Sequence, residues 1–439
     1  MTKRYARSLY WFTHDLRLND NPALTAAQDS SAAITFCYVL DKASLTRGRY
    51  GMPALGQHRL SFILQSLHDL QRQLQAQGHT LTVRVGEPLD EMAQLISTLQ
   101  VDAVFGALQA GVYERRRWQQ LQQRFRFLDF HQLPNSTLLS EDDLPGGLQQ
   151  LAATFSQFRK PLEPLAERFT KQALAAPNWQ HRALSVNASA DLPEAGESWL
   201  AGGETAALQH LQRYFSSAAP GRYKETRNAL DGFDQSTKLS AYLAHGNLSP
   251  QQVINALRDY EQQHGENEST YWIAFELLWR DYFFWYLLRY QEQVFAFTGV
   301  AGRKPQTTFY PTRFKQWCAG QTPYPLVNAC MHQLNQTGYL SNRGRQIVAS
   351  CLVNEMAVDW RYGAAYFEQQ LLDYDIGSNW GNWQYIAGVG ADPRGGRHFN
   401  IDKQTAQFDP DGHYIERWKG QQTRQLDVND AADWPITAN

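Results

Sequence analysis

Several features that would classify a chain at once are scarce or missing here. Only four cysteines, Cys37, Cys318, Cys330 and Cys351, are scattered through 439 residues, with no CxxC spacing. That argues against structural zinc and a disulfide framework, and it fits a reducing compartment. No metal site is expected. No run approaches the roughly eighteen apolar residues needed to cross a bilayer. The N-terminus, MTKRYARSLYWFTHD, lacks a long apolar region of the signal-peptide kind. A soluble cytoplasmic chain with no membrane partner is therefore expected. Charge of one sign is missing too: the formal net charge is -2 at pH 7. Any nucleic-acid surface must be local. There is no GxGxxG, so a nicotinamide dinucleotide is not expected. Internal repeats and low-complexity segments are absent.

What is present divides into two unlike halves. SLYWFT (8–13), AAITFCYVL (32–40), LTVRV (81–85), VDAVFGAL (101–108) and FRFLDF (125–130) read as strands. Between the second and third, Leu60, Ile63, Leu64, Leu67, Leu70 and Leu74 keep the three-four spacing of an amphipathic helix, which Gly78 ends. GEPLDEMAQLISTLQ and GVYERRRWQQLQQ supply further helices. This alternation predicts a doubly wound parallel α/β domain over residues 1–134. Residues 135–200 are rich in turn formers and read as a connector, with a short helix near PLEPLAERFTKQAL. From 201 to 425 helix signals dominate. Ser249-Pro250 opens one helix, and YWIAFELLWRDYFFWYLLRY is apolar on most sides, so it is buried. Residues 426–439 form a polar tail, expected to pack poorly. The fold class is α/β followed by all-α.

The helical half carries the chemistry. Eight of the thirteen tryptophans lie between Trp272 and Trp418, and an aromatic core alone would explain them. Residues 301–350 hold six basic side chains, Arg303, Lys304, Arg313, Lys315, Arg343 and Arg345, and no acid. They form a solvated face or a phosphate-tracking surface. STKLSAYLAHGNLSP (236–250) puts hydroxyls ahead of a helix, as simple caps or as a phosphate cradle. FELLWRD places Glu276 on a nearly all-apolar helix, where a carboxylate is paired, neutral or functional. Either an arginine of a neighbouring helix pairs it, or it stands with Trp279, three residues on, facing a pocket for a flat ligand. SNRGRQ opens a helix with Asn342, Arg343 and Arg345 together, suited to carboxylate or phosphate contacts or to plain solvation. DYDIGSNWGNWQY (373–385) crowds acids, amides, tryptophans and tyrosines into one stretch. Asp373 and Asp375 are read as lying near a helix end where negative charge opposes the macrodipole. An arginine or sugar hydroxyls should then compensate them. Asn379 can offer an amide to a heterocycle edge, with Trp383 beside it.

WFTHDLRLNDNPAL, TKLSAYLAHGNLSP, FELLWRDYF, the long run from YPLVNACMHQLN to NWGNWQY, and FNIDKQTAQFDPDGHYIERW together resemble the photolyase/cryptochrome family over nearly the full chain. TFSQFRK (154–160), NWGNWQYIAGVGADPRGGRHFN (379–400) and Gln346, where dimer photolyases usually carry methionine, resemble its DASH cryptochrome branch. The resemblance implies an FAD held in the helical domain. Tyr223 and the turn Ser236, Thr237, Lys238, Leu239, Ser240 resemble the phosphate-binding elements. Asp373 and Asp375 resemble the acids near the flavin ring and ribose, with Arg345 partnering Asp373. Asn379 resembles the residue opposite flavin N5. Trp383, Trp360 and Trp317, in the contexts NWQ, VDWRYG and FKQWCAG, resemble an ordered electron relay, with core packing as the other reading. Glu276, Trp279, Asn342, Arg343, Gln346 and Tyr385 resemble substrate-pocket residues. Tyr385 stands where related photolyases usually have tryptophan, a departure shared with the DASH branch. Glu114, in GVYERRR, resembles a contact to an antenna pigment, methenyltetrahydrofolate by resemblance, with a deazaflavin as the alternative pigment and a solvated helix carboxylate as the alternative role. The implied activity is blue or near-ultraviolet light-driven repair of cyclobutane pyrimidine dimers by a monomer, best in single-stranded DNA. A blue-light photoreceptor with little repair, and a nucleic-acid-binding regulator, are the rival readings.

Overall fold

The computed structural model describes residues 4–163, 171–177, 182–183, 193–392 and 395–426. Five parallel strands, β1 (Ser8–Phe12), β2 (Ala33–Asp41), β3 (Leu81–Gly86), β4 (Ala103–Ala107) and β5 (Asp129–Leu133), form a sheet in the order β3-β2-β1-β4-β5. Helices α1 (Pro22–Ser30), α2 (Gln57–Ala76), α3 (Pro88–Leu99) and α4 (Val112–Arg124) are the crossovers between them. β1, β2 and β4 bury nearly every residue, as strands covered on both faces must. Strand order reverses between β1 and β4. The crevice outside the carboxyl ends of those two strands is where α/β sheets of this kind hold ligands.

The fifth strand differs from the sequence reading. It occupies Asp129–Leu133 rather than 125–130. Phe125 instead caps α4, its N–H donating to Leu121 O, and packs with α3 and α4, while Phe127 is left exposed. The aromatic run therefore closes a helix before the strand begins. The connector also differs. A five-residue helix, α5, spans Phe155–Arg159, upstream of the expected one, much of which lies outside the described residues. A two-residue strand, β6 (Arg182–Ala183), pairs parallel with β2 and had no signal in the sequence. Most of the expected polar tail also lies outside the described residues.

The helical half follows: α6 (Glu204–Phe215), α7 (Tyr223–Thr226), α8 (Ser240–Ala244), α9 (Pro250–His264), α10 (Glu268–Tyr290), α11 (Pro311–Ala319), α12 (Pro325–Thr337), α13 (Asn342–Ser350), α14 (Trp360–Gln370), α15 (Ile376–Ala387), α16 (Ile401–Phe408) and α17 (His413–Arg417). Ser249 caps α9 in a capping box with Gln252, and Pro250 takes the first helical position. Asn267 caps α10, the 23-residue helix around which the rest is packed. Trp285, Trp317 and Trp360 are fully buried in this core. α15 shows why DYDIGSNWGNWQY does not look amphipathic. A Cβ at Gly377 would meet Phe283 O at 2.8 Å, and one at Gly381 would strike the Phe283 ring. Two glycines four apart let α15 lie directly on α10, so close approach replaces an apolar stripe.

The N-terminal motif WFTHDLRLNDNPAL is the joint between the halves. Arg17, 1% exposed, donates to the carbonyls of Asp20 (2.8 Å), Asn135 (2.8 Å) and Gly246 (3.0 Å). Leu16 N–H donates to His245 O at 3.1 Å. The buried Glu204 accepts from the N–H groups of Leu18 and Asn19 at 2.7 and 2.9 Å. A guanidinium buried this deeply is tolerated because its donors are met by carbonyl oxygens.

Candidate functional site

Between α7, α8, α10, α13 and α15 lies a cavity of about 530 Å³, within the roughly 300–1,000 Å³ of small-molecule sites. Tyr223, Ser236, Thr237, Lys238, Leu239, Ser240, Glu276, Trp279, Asn342, Arg345, Gln346, Asp373, Asp375, Asn379, Trp383 and Tyr385 all line it. Segments up to ~160 residues apart in sequence are thus brought to one place.

Its polar inner part is built from paired groups. Arg345 donates from Nη2 to both carboxylate oxygens of Asp373, at 3.0 and 2.8 Å, and from Nε to Leu340 O at 2.8 Å. The Asp373 side chain is only 2% exposed, so this partner is what makes its burial tolerable. Asp375 corrects the sequence reading. It is the N-cap of α15, accepting from Ser378 N–H at 2.7 Å. Its charge therefore complements the helix dipole, and Arg280 stands 3.7 Å away. Asn379 donates from Nδ2 to Ala364 O at 3.0 Å, which leaves its carbonyl oxygen as the remaining acceptor. The 236–240 turn carries Lys238 at φ 54, a left-handed conformation unusual for a side chain of this size. Lys238 Nζ donates to Ser236 Oγ at 2.8 Å and lies 4.9 Å from the Tyr339 ring.

The outer part is aromatic and charged. Glu276 is ion-paired with Arg227, and Arg227 also lies 4.3 Å over the Trp272 ring. The two readings of Glu276 thus coincide: the carboxylate is paired by an arginine and also lines the cavity. Trp279 meets Tyr385 edge-on, centroids 6.1 Å apart at 85°. The Tyr385 hydroxyl is hydrogen-bonded by Arg397, whose guanidinium also sits 4.8 Å over the ring. Asp392 holds Arg397 at 3.2 Å. Arg227, Arg280 and Arg397 were not legible in the sequence. They stand in short turns or beside an already noted residue, with no periodicity to mark them.

The tryptophans are grouped differently from their order in the resemblance. Trp383 lines the cavity, and Trp317 is its ring neighbour at 6.2 Å and 73°. Trp360 instead meets Trp380 at 5.7 Å and 77°. Their indole N–H groups donate to Val348 O (2.9 Å, Trp317) and Phe297 O (3.1 Å, Trp360).

Four expected site residues, Trp317, Trp360, Arg343 and Glu114, stand outside the cavity lining. Arg343 turns away, donating to Asn228 Oδ1 at 3.2 Å and lying 4.8 Å over Phe408. Of the basic residues in 301–350, Arg303, Lys304 and Lys315 are exposed, whereas Arg313 donates to Met356 O at 3.2 Å. Glu114 lies in the first turn of α4, at the crevice beyond β1 and β4. Its Oε2 is buried without a hydrogen-bond partner. His14 lies close enough to feel its charge, and burial holds the His14 imidazole below its ordinary pKa.

Residues 8–178 match the DNA photolyase family model, and residues 272–432 match the FAD binding domain of DNA photolyase. A cryptochrome DASH of Idiomarina loihiensis is 53% identical, the match covering 98% of this chain and 97% of that one. One of Vibrio parahaemolyticus is 46% identical over 98% and 97%. Among solved structures, a Synechocystis cryptochrome superposes with a TM-score of 0.89 at 37% identity, covering 95% of this chain and 89% of that one. A class III photolyase of Agrobacterium tumefaciens gives 0.77 at 26% identity, over 95% and 87%. No helix among the described residues is long and apolar enough to cross a membrane. Family models matched in both halves, and relatives of one kind over nearly the whole chain, place it in the photolyase/cryptochrome family, in its DASH cryptochrome branch.

Proposed function

We propose that the protein repairs cyclobutane pyrimidine dimers by light-driven electron transfer, acting best on single-stranded DNA. The observation that supports this most is the composition of one cavity: a flavin-suited inner part and a base-suited outer part, open to each other. The residues present fit FAD. The Ser236–Ser240 turn offers hydroxyls and a cation for a diphosphate. Asp373, fixed by Arg345, and the Asn379 carbonyl offer acceptors to the N–H groups of a flavin ring, and Asp375 offers one to ribose hydroxyls. Reduced flavin, when bound, supplies the light absorption and the electron that opens the cyclobutane ring and is then returned to it.

The protein's own share is placement. Glu276 and Arg227 present an acceptor beside a donor, the pattern that matches the N3–H and carbonyl on a pyrimidine imide edge. Both hydrogen bonds hold the dimer, and the Arg227 guanidinium opposes the negative charge that develops on it. Trp279 and Tyr385 give flat surfaces to bases taken out of the stack. Trp383 and Trp317 stand as electron donors toward the cavity. The second pigment is assigned to the crevice at Glu114. Its unpartnered buried oxygen fits the N–H-bearing edge of a pterin, and methenyltetrahydrofolate is the pigment proposed. The proposed acting form is a monomer.

The test is an absorption spectrum of the purified protein followed by a dimer-repair assay. Flavin bands with a second near-ultraviolet band, and loss of dimers only in the light, are expected. Flavin without repair in any DNA context would move the reading to a photoreceptor.

A further inference from the structure

We propose that the connector sets the plane of the Trp279 indole, with Phe155 as the positioning residue. This inference rests on the reading of the outer cavity given above. Thr154 caps α5, its hydroxyl accepting from Gln157 N–H at 3.4 Å, and the short helix turns Phe155 and Phe158 inward to 3% and 1% exposure. Both land on α10. Tyr271, Phe275, Trp279 and Tyr282 follow one another at intervals of four, four and three, and so share a face. Phe155 stacks on Trp279 with centroids 3.9 Å apart and planes 18° from parallel. It meets Phe275 edge-on at 5.1 Å. Phe158 rests on Tyr282 at 5.2 Å. Arg159 pins the outer end, donating to the Tyr271 hydroxyl at 2.5 Å and pairing with Glu163 at 3.0 Å.

Trp279 lines the cavity and Phe155 does not. The face that Phe155 covers is therefore the one turned away, which leaves the other side of the indole toward the cavity and Tyr385. A parallel aromatic contact fixes a plane, whereas an aliphatic side chain of similar bulk fills the space without fixing one. A segment outside the cavity thus decides how a base can lie against Trp279.

The experiment compares Phe155→Leu with Phe158→Leu in the full-length, FAD-loaded protein. Both loosen α5, but only the first removes the stack on Trp279. Binding of a single-stranded oligonucleotide with one dimer is measured alongside fluorine NMR of 5-fluorotryptophan-labelled protein. The Trp279 signal is identified by its loss in Trp279→Phe. For Phe155→Leu, affinity should fall roughly three- to tenfold and the Trp279 signal should broaden or split, with flavin content retained. For Phe158→Leu, affinity and linewidth should stay near wild type. A sharp single Trp279 signal in Phe155→Leu, or equal effects of the two substitutions, overturns the proposal. If wild-type protein does not bind the dimer, the reading of the cavity fails, while the fluorine signal still decides whether Phe155 sets the indole.

Discussion

Glu276 and Arg227 form the pair on which the proposed chemistry turns, and the two carry opposite risks on mutation. Glu276→Ala leaves Arg227 without its carboxylate but keeps a donor at the cavity. Repair per absorbed photon should drop about ten- to a hundredfold, the range for losing a hydrogen bond to a charged group. FAD content should hold, because Glu276 is 35% exposed in the outer part of the site. Flavin-to-protein ratio and repair of one oligonucleotide on pre-reduced protein are the two measurements. Loss of flavin would mean the pair is only structural. The tryptophans allow a ranking. Light-driven flavin reduction should slow most in Trp383→Phe, next in Trp317→Phe and least in Trp360→Phe, because the ring contact runs from Trp383 to Trp317. A larger effect at Trp360 than at Trp317, read by illumination with an external reductant, would restore the order taken from sequence. At this scale most of the cavity was legible: acids, amides and aromatics out of pattern marked it. Arg227 and Arg397 were not, since an arginine in a turn carries no sign of where its long side chain ends.

Elements explain what single residues do not. α10 was readable from its apolar length, and α9 from Ser249-Pro250. α15 carries no apolar stripe to mark its start, because Gly377 and Gly381 let it lie directly on α10. Asp375 was consequently assigned to the wrong kind of helix end. β5 slipped because aromatic residues that finish α4 look like a strand. α10 also carries a titratable tie to the connector. Asp281 is fully buried and accepts from Leu139 N–H at 2.9 Å, while its other oxygen has no partner. Burial raises its pKa from 3.8 to about 7. The sign follows from proton binding: between these values the folded state holds a proton that the unfolded state has lost. The stabilisation is complete below about pH 4 and is lost as pH rises to about 7, at up to about 1.4 kcal/mol per pH unit. Asp281→Asn removes that slope. Urea midpoints at pH 5, 6, 7 and 8 should fall more steeply for wild type than for the variant up to about pH 7, then run parallel. Parallel curves throughout would show that the Asp281 pKa is not raised in the folded protein.

The two halves of the molecule were separable in sequence by their periodicity, but the way they are joined was not. Arg17 and Glu204 meet backbone groups from distant segments, contacts that no local pattern announces. The joint matters because it sets the cavity and the crevice in fixed relation, and the outer part of the cavity is the door proposed for substrate. What passes that door follows from energetics. A dimer in duplex must leave the base stack, at a cost of a few kcal/mol, and a dimer in a single strand is already exposed. Base–aromatic stacking returns roughly 1–3 kcal/mol per base. Here Tyr385 offers a smaller ring than an indole, and Arg397 already occupies both its hydroxyl and a face. Trp279 meets it edge-on rather than leaving a parallel slot. A shortfall of about 1 kcal/mol weakens flipping several-fold and leaves binding of an exposed dimer adequate. The exposed Arg303, Lys304 and Lys315 attract phosphates in either form, so affinity should fall with salt for both. Repair of the same dimer-containing sequence, at one salt concentration, should therefore be fast in a single strand, slower in a bubble and slowest in intact duplex. Tyr385→Trp together with Arg397→Gln should narrow the gap by improving duplex repair more than single-strand repair. Equal rates in wild type across the three contexts would show that stacking at Tyr385 does not limit flipping.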